Sequence, residues 1–197
     1  IIVYGGTQIG AGGAGEVTEV FYVFEDDLNL KTGLIKVTLP NVDHSKALLL
    51  YEQKVTEEVT QLIQRTKEEI ASGKPHALSE RQFLNDPTKN ILAPEVLGEE
   101  FIIMPKVENA QGESVSLQNM SKRKVSAVEM ANALLGATRG LSFLSDNGII
   151  AADNSDRNTL DSINGGVVID LGGFISKKLL QEGIIRINDE NNSTERE

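Results

Sequence analysis

Residues 10–23 read Gly10-Ala11-Gly12-Gly13-Ala14-Gly15-Glu16-Val17-Thr18-Glu19-Val20-Phe21-Tyr22-Val23. Glycines at 10, 12 and 15, followed by Val17, give the spacing Gly-x-Gly-x-x-Gly-x-Val. A glycine lets backbone N–H groups approach an anion with no Cβ in the way. The residues that follow decide the fold. A dinucleotide fingerprint needs a helix directly after the glycines, with the pyrophosphate at its N-terminus. A Walker loop needs Gly-Lys-Ser/Thr. Here the continuation is strand-forming, with Val17, Val20, Phe21, Val23 and Phe24, and no lysine follows the last glycine. Glycines between two strands make a hairpin, which either covers a phosphate or is a flexible turn; the motif alone fits both.

Working outward, residues 1–39 read as strands, with Asp26-Asp27-Leu28-Asn29 as a turn before Gly33–Leu39. Pro40-Asn41-Val42-Asp43 breaks the pattern, and Asp43 or Ser45 can cap a helix over about Lys46–Ala71. Leu48, Tyr51, Val55, Val59, Leu62 and Ile63 recur three or four apart and predict its apolar face. Ser72-Gly73-Lys74-Pro75 ends it, and residues 76–89 are polar and ambiguous. A hairpin is expected from Ile91–Val96 and Phe101–Met104 around Gly98, then a loop at Asn109–Gly112. A second helix is expected over Val125–Leu144, with Met130, Leu134, Leu135, Leu141 and Leu144 facing a core. Asp146-Asn147-Gly148 stops it. Short strands at 159–163 and 166–169 join through Asn164-Gly165, and residues 188–197 hold no apolar residue and read as a disordered tail. Strands gathered early and helices kept apart from them predict an α+β fold.

Composition narrows the chemistry. At 197 residues the chain can form one compact domain or two small lobes. A net charge of −10 argues against nucleic acid and against an anionic membrane surface as partners. No apolar run approaches the ~18–20 residues that span a bilayer. The first residues are Ile1-Ile2-Val3, without Met, so the start is expected to be trimmed and no targeting segment is readable. With no cysteine, disulfides, thiolate zinc sites and thiol catalysis are excluded. His44 and His76 lie 32 positions apart, which disfavours a paired-His metal site or a Ser-His-Asp triad.

Several polar residues sit where burial would be costly. Lys36 lies among Leu34, Ile35 and Val37, and a lone lysine in an apolar strand needs a partner. Glu52, on the first helix beside its apolar face, and Glu58 are the two candidates; Lys31 is the poorer lysine because it falls in the turn. Later, Asp153 and Asn158 flank Asn154-Ser155-Asp156-Arg157, and Asp170 follows Val167-Val168-Ile169 and precedes Leu171-Gly172. Read alone, these are a polar turn and a strand cap.

In this order and with these gaps, the pieces resemble the ATP- and magnesium-binding parts of a protein kinase. The resemblance covers about residues 4–175. It implies a bilobal kinase-like fold across 1–187. The β-rich N-lobe would span about 1–104, the hinge about 105–109, and the reduced, mainly helical C-lobe about 110–187. It implies that Gly10, Gly12, Gly13, Gly15 and Val17 cover ATP phosphates and that Lys36 and Glu52 position them. Met104 would back the adenine, and backbone groups near Lys106 and Val107 would meet its edge, with Pro105 removing one donor. Asp153 would orient the acceptor hydroxyl, and Asn158 and Asp170 would hold Mg2+, a hard cation that takes oxygen ligands.

The pattern departs from most kinases at four points. Ala151 and Ala152 replace the His-Arg before the catalytic Asp, so switching by a phosphorylated activation loop is not expected. Ser155 stands where the family carries a lysine that meets the γ-phosphate, which lowers intrinsic activity unless another cation enters. Leu171 replaces Phe. Only 27 residues follow Asp170, too few for the usual peptide-docking helices. This shortened build is similar to minimal kinases that pathogenic bacteria inject into host cells through type III secretion. The likeness implies a virulence effector in the host cytoplasm that phosphorylates Ser or Thr on a host protein. In one such family that protein is the ninety-kilodalton heat-shock chaperone, and some members need a host activator. Three other readings fit parts of the pattern. One is a pseudokinase binding module, motivated by Ser155, Ala151 and Ala152. The others are a small-molecule kinase of the aminoglycoside type, which needs a larger helical lobe, and an AMP-transferring kinase-like enzyme.

Overall fold

The computed structural model describes residues 1–12, 15–27, 29–39, 45–73, 86–153 and 155–183. Gly13, the break at 40–43 with its Asp43 cap, both histidines, the Lys74-Pro75 stop and the 188–197 tail lie outside them.

The first half is an antiparallel sheet. Strands β1 (Ile2–Tyr4) and β2 (Gln8–Gly12) lie in succession along the same edge of β3 (Gly15–Val23), which pairs with β4 (Lys31–Val37). Then come β5 (Val96–Leu97) and β6 (Phe101–Pro105), in the order β1-β3-β4-β6-β5 with β2 on β3. The β2–β3 hairpin is tight because Gly12 faces Gly15, and a Cβ at Gly15 would sit 2.2 Å from the Val37 carbonyl oxygen. Only glycine lets β3 come this close to β4 at that point. Val20, Tyr22 and Ile103 form the sheet's own core, with Phe24, Ile35, Val96 and Phe101 packed on it.

Helix α1 (Ser45–Ser72) is apolar along one side, as its spacing predicts, with Val55, Val59, Leu62 and Ile63 buried; Leu48 is exposed, and Leu49 takes the inward place. Its buried face meets the second half of the chain. Val55, Val59, Leu62 and Ile63 share a core with Ile91, Phe143, Leu144, Ile149, Val168, Leu171, Phe174 and Leu179. One helix thus joins the sheet half to the helical half.

The second half contains α2 (Leu117–Lys122) and α3 (Ala127–Asp146). Three short ribbon strands follow: β7 (Ile149–Ala151), β8 (Thr159–Leu160) and β9 (Val167–Val168). Then come β10 (Phe174–Ser176) and α4 (Lys177–Gln181). β8 pairs with β9, and β10 with β7, both antiparallel. Ser126 caps α3 in a reciprocal capping box with Glu129. The expected Ile91–Val96 strand is largely absent. Ile91 instead bridges Val168, and Leu92 N–H donates to the Val168 carbonyl at 2.9 Å, because the 3-10 turn Pro87–Asn90 aims the chain at the β8–β9 hairpin.

The expected inward face of α3 is also corrected. Leu134 and Leu135 are 50% and 41% exposed, while Ala133, Gly136, Ala137, Gly140, Phe143 and Leu144 are buried. The hairpin lies so close that a Cβ at Gly136 would come within 2.3 Å of the Gly166 nitrogen. Large side chains do not fit there. The architecture is therefore α+β, an antiparallel sheet with several helices, and no helix of the described residues is long and apolar enough to cross a membrane.

Candidate functional site

Between the sheet and the β8–β9 hairpin lies a cavity of ≈ 490 Å³, within the usual size of small-molecule sites. Its walls are apolar: Ile9 and Val17 come from the β2–β3 hairpin, Leu34 and Met104 from the sheet, and Leu160 and Ile169 from the opposite side. Lys36, Glu52, Arg157, Asn158 and Asp170 line it as well.

Lys36 is the centre of the polar group. Its Nζ donates to Glu52 Oε2 at 2.6 Å and to Asp170 Oδ1 at 3.0 Å. The side chains of Lys36 and Glu52 are only 10% and 3% exposed, and that of Asp170 is 43% exposed. Glu58, the competing partner, instead accepts a hydrogen bond from Ser176 Oγ at 2.5 Å. The choice between the two carboxylates is thereby settled: the lysine pairs with Glu52.

Burial works against the Lys36 charge, but Glu52 first and Asp170 second outweigh it and hold its pKa above the usual lysine value. Burial pushes the Glu52 carboxyl above its usual range; the Lys36 charge pulls it back, and the like charge of Asp170 pushes it further up. A cation between two carboxylates is stable here because each charge has a partner.

Local backbone sets the geometry. Asp170 has φ +58°, in the left-handed region that few non-glycine residues enter. This turn ends β9 and starts the 3-10 turn Leu171–Gly173. A Cβ at Gly172 would lie 3.1 Å from Glu52 Oε2 and 3.5 Å from Asp170 Oδ1, so the glycine leaves room for both carboxylates. Asn158 ends the 3-10 turn Asp156–Asn158, and the Ile169 N–H donates to its carbonyl at 2.9 Å. That bond ties the Asn158 loop to the strand leading into Asp170.

The other residues singled out in the sequence divide. Gly10, Val17, Met104 and Val107 line the cavity. Gly12 and Gly15 belong to the hairpin above, and Gly15 is not among the lining residues described. The Lys106 side chain turns away to Glu19 and Glu108, at 3.0 and 2.9 Å. The Val107 carbonyl accepts the Ser114 hydroxyl, so one backbone acceptor of the segment is already engaged. Asp153 is exposed and does not line the cavity; its N–H donates to the Gly173 carbonyl at 3.0 Å, beside the β7–β10 ribbon. Arg157 was not singled out from the sequence, yet it lines the cavity next to Asn158. Its one signal was its place in the loop, between Ser155 and Asn158.

Among the described residues no three His, Cys, Asp or Glu side chains gather into a metal site. Asn158 and Asp170 both line the cavity, and a pair of oxygen ligands is what they could offer a cation. Such a pair suits Mg2+, which keeps water and phosphate oxygens for its remaining positions, and does not suit a metal that needs a full protein cage.

A comparison with protein-family models gives no match, and none of the curated proteins matches the chain.

Proposed function

We propose that this chain is a protein kinase that transfers the γ-phosphate of ATP, in a Mg2+-dependent reaction, to a Ser or Thr hydroxyl on another protein. The observation that carries this reading is the Lys36–Glu52–Asp170 cluster in an apolar cavity beneath a glycine-rich hairpin. In the bilobal reading, the sheet half is the N-lobe, residues 105–109 are the hinge, and the helical half belongs to the C-lobe. The apolar walls from Val17, Leu34, Met104 and Ile169 suit the two faces of a purine ring. The sequence likeness to injected bacterial effectors adds a host protein, such as a chaperone, as acceptor. It also adds delivery into the host cytoplasm and the option of a host activator.

Transfer of this kind depends on positioning and charge stabilisation. The bond from the γ-phosphorus to the β,γ-bridging oxygen breaks, and ADP leaves with that electron pair. A new bond forms to the acceptor oxygen, and the hydroxyl proton passes to a carboxylate, assigned here to Asp153. Lys36, held by Glu52, neutralises phosphate oxygens, and Asn158 and Asp170 supply oxygen ligands to Mg2+. When bound there, Mg2+ would supply positive charge to the phosphates.

A pseudokinase is the second reading. It is favoured by one observation: Asp153 is exposed and lies outside the cavity lining. One experiment separates the two. Wild type and Asp170→Ala are given radiolabelled Mg-ATP in buffer and in eukaryotic lysate, with thermal shift measured alongside. Label transferred by wild type and lost in the variant is expected. An Mg-ATP shift without transfer in either setting would favour the pseudokinase, and full activity in Asp170→Ala would refute the kinase reading.

A further inference from the structure

The loop between Asp153 and Asn158 carries serine where a lysine would bring a charge to the terminal phosphate, yet the cavity has a second cation. Arg157 lines it beside Asn158 and Asp170. Its N–H and its Nε both donate to Ser155 Oγ, each at 3.3 Å. Among the described residues it has no acidic partner, whereas the cavity's carboxylates on Glu52 and Asp170 are both taken by Lys36. A guanidinium has five N–H donors in a planar fork that fits phosphate oxygens two at a time. With one donor used on Ser155, the rest are available. An exposed arginine that lines the cavity and has no acidic partner among the described residues is suited to an anionic ligand.

We infer that Ser155 and Arg157 act as one unit, in which Arg157 contacts the terminal phosphate and Ser155 holds its guanidinium in place. Ser155 is then a positioning residue and replaces the missing lysine indirectly. It caps the 3-10 turn through the Arg157 N–H and fixes the same side chain through Nε. Lys36 and Arg157 supply positive charge from the sheet side and the loop side of one cavity, with Asn158 and Asp170 also lining it. During transfer, Arg157 would meet the charge on the γ-phosphoryl oxygens while the bond changes described above take place; it neither takes nor gives a proton. The inference rests on the kinase reading for the identity of the phosphate, but the anion site itself can be tested without it.

The test measures binding of AMP, ATP and inorganic tripolyphosphate to wild type, Arg157→Ala, Arg157→Lys and Ser155→Ala, with circular dichroism to confirm folding, and steady-state transfer from Mg-ATP. Arg157→Ala should bind ATP and tripolyphosphate about tenfold or more weakly, as expected for loss of charge-assisted bonds, with AMP affinity unchanged. Arg157→Lys should recover part of the loss, because it keeps the charge but loses the fork. Ser155→Ala should lower kcat with less effect on the KM for ATP. A merely structural role would weaken AMP as much as ATP. Equal loss for both, or an Arg157→Ala variant that binds tripolyphosphate and turns over as wild type does, would overturn the inference while leaving the kinase reading standing. Arg157-dependent tripolyphosphate binding without any transfer would support the anion site and count against the kinase.

Discussion

Replacing Lys36 with methionine should be more damaging than replacing its partner Glu52 with glutamine, and the difference should depend on pH. Lys36 has two carboxylates within 3.0 Å, one of them Asp170 with its side chain 43% exposed. Glu52 has one cation and almost no contact with water. Removing Glu52's charge leaves the ammonium paired with Asp170, so the penalty is moderate, about 1–2 kcal/mol, in the range for a lost bond to a charged group. Removing the lysine strands Glu52 in a dry site with a like charge nearby. Breaking a buried pair in that way costs about 3–5 kcal/mol. For a chain of this size, each kcal/mol moves Tm by roughly 2–4 °C. Lys36→Met should therefore lower Tm by roughly 6–20 °C at neutral pH, and Glu52→Gln by roughly 2–8 °C.

The sign of the pH effect follows from the direction of the Glu52 shift. Burial already holds this carboxyl above its usual range with the lysine present, and loss of the lysine raises it further. The folded variant then binds a proton more tightly than the unfolded chain. Stability is greatest below the unfolded carboxyl value and falls as pH rises through the raised folded one. The deficit of Lys36→Met against wild type should accordingly shrink as the medium is acidified from pH 7.5 towards pH 5. Differential scanning fluorimetry across that range, completed by the double variant Lys36→Met/Glu52→Leu, reads all three quantities. The double variant should recover part of the loss. If Lys36→Met is no less stable than Glu52→Gln, or its deficit grows on acidification, the buried-pair account is wrong.

Two further predictions act as controls on the site. Glu58→Gln should leave phosphate transfer at the wild-type rate, because Glu58 bonds Ser176 and does not reach Lys36; a loss as large as that of Glu52→Gln would reverse the assignment of the lysine's partner. Ser126→Ala removes the α3 capping box and should cost about 0.5–2 kcal/mol in denaturant melts with turnover unchanged.

The polar half of the site could be read from the chain because its chemistry is costly to hide. A lysine between Leu34, Ile35 and Val37 must find a carboxylate, and a helix carboxylate beside an apolar face must find a cation; the structure joins Lys36 and Glu52 at 2.6 Å. The sheet was legible from runs of β-formers interrupted by glycines. The β7–β10 ribbon and α4 were not, since each is three to five residues long and takes its shape from partners distant in sequence. Arg157 was missed for a different reason. Nothing in a hydrophilic hexapeptide says which side chain lines the cavity; Arg157 does so while exposed, with its Nε bonded to Ser155 Oγ.

The face of α3 was misread through reliance on size. Large apolar residues at helical spacing usually mark the buried side, but here leucines 134 and 135 point outward and the contact is made by Ala133, Gly136, Ala137 and Gly140. Close approach explains the choice. Added Cβ atoms would lie 2.3 Å from the Gly166 nitrogen at Gly136 and 2.5 Å from the Asn90 carbonyl oxygen at Gly140. Asn90 completes the joint, its buried amide donating to the carbonyls of Asn164 and Gly166 at 3.1 and 3.0 Å. That joint fixes the turn of the β8–β9 hairpin. Asn158 immediately precedes this hairpin and Asp170 lies two residues after it. The small residues on α3 thus bear on the position of two proposed magnesium ligands through the hairpin that lies between those ligands in sequence. In a site whose chemistry depends on where charges are held, a glycine on a supporting helix can matter as much as a carboxylate in the cavity.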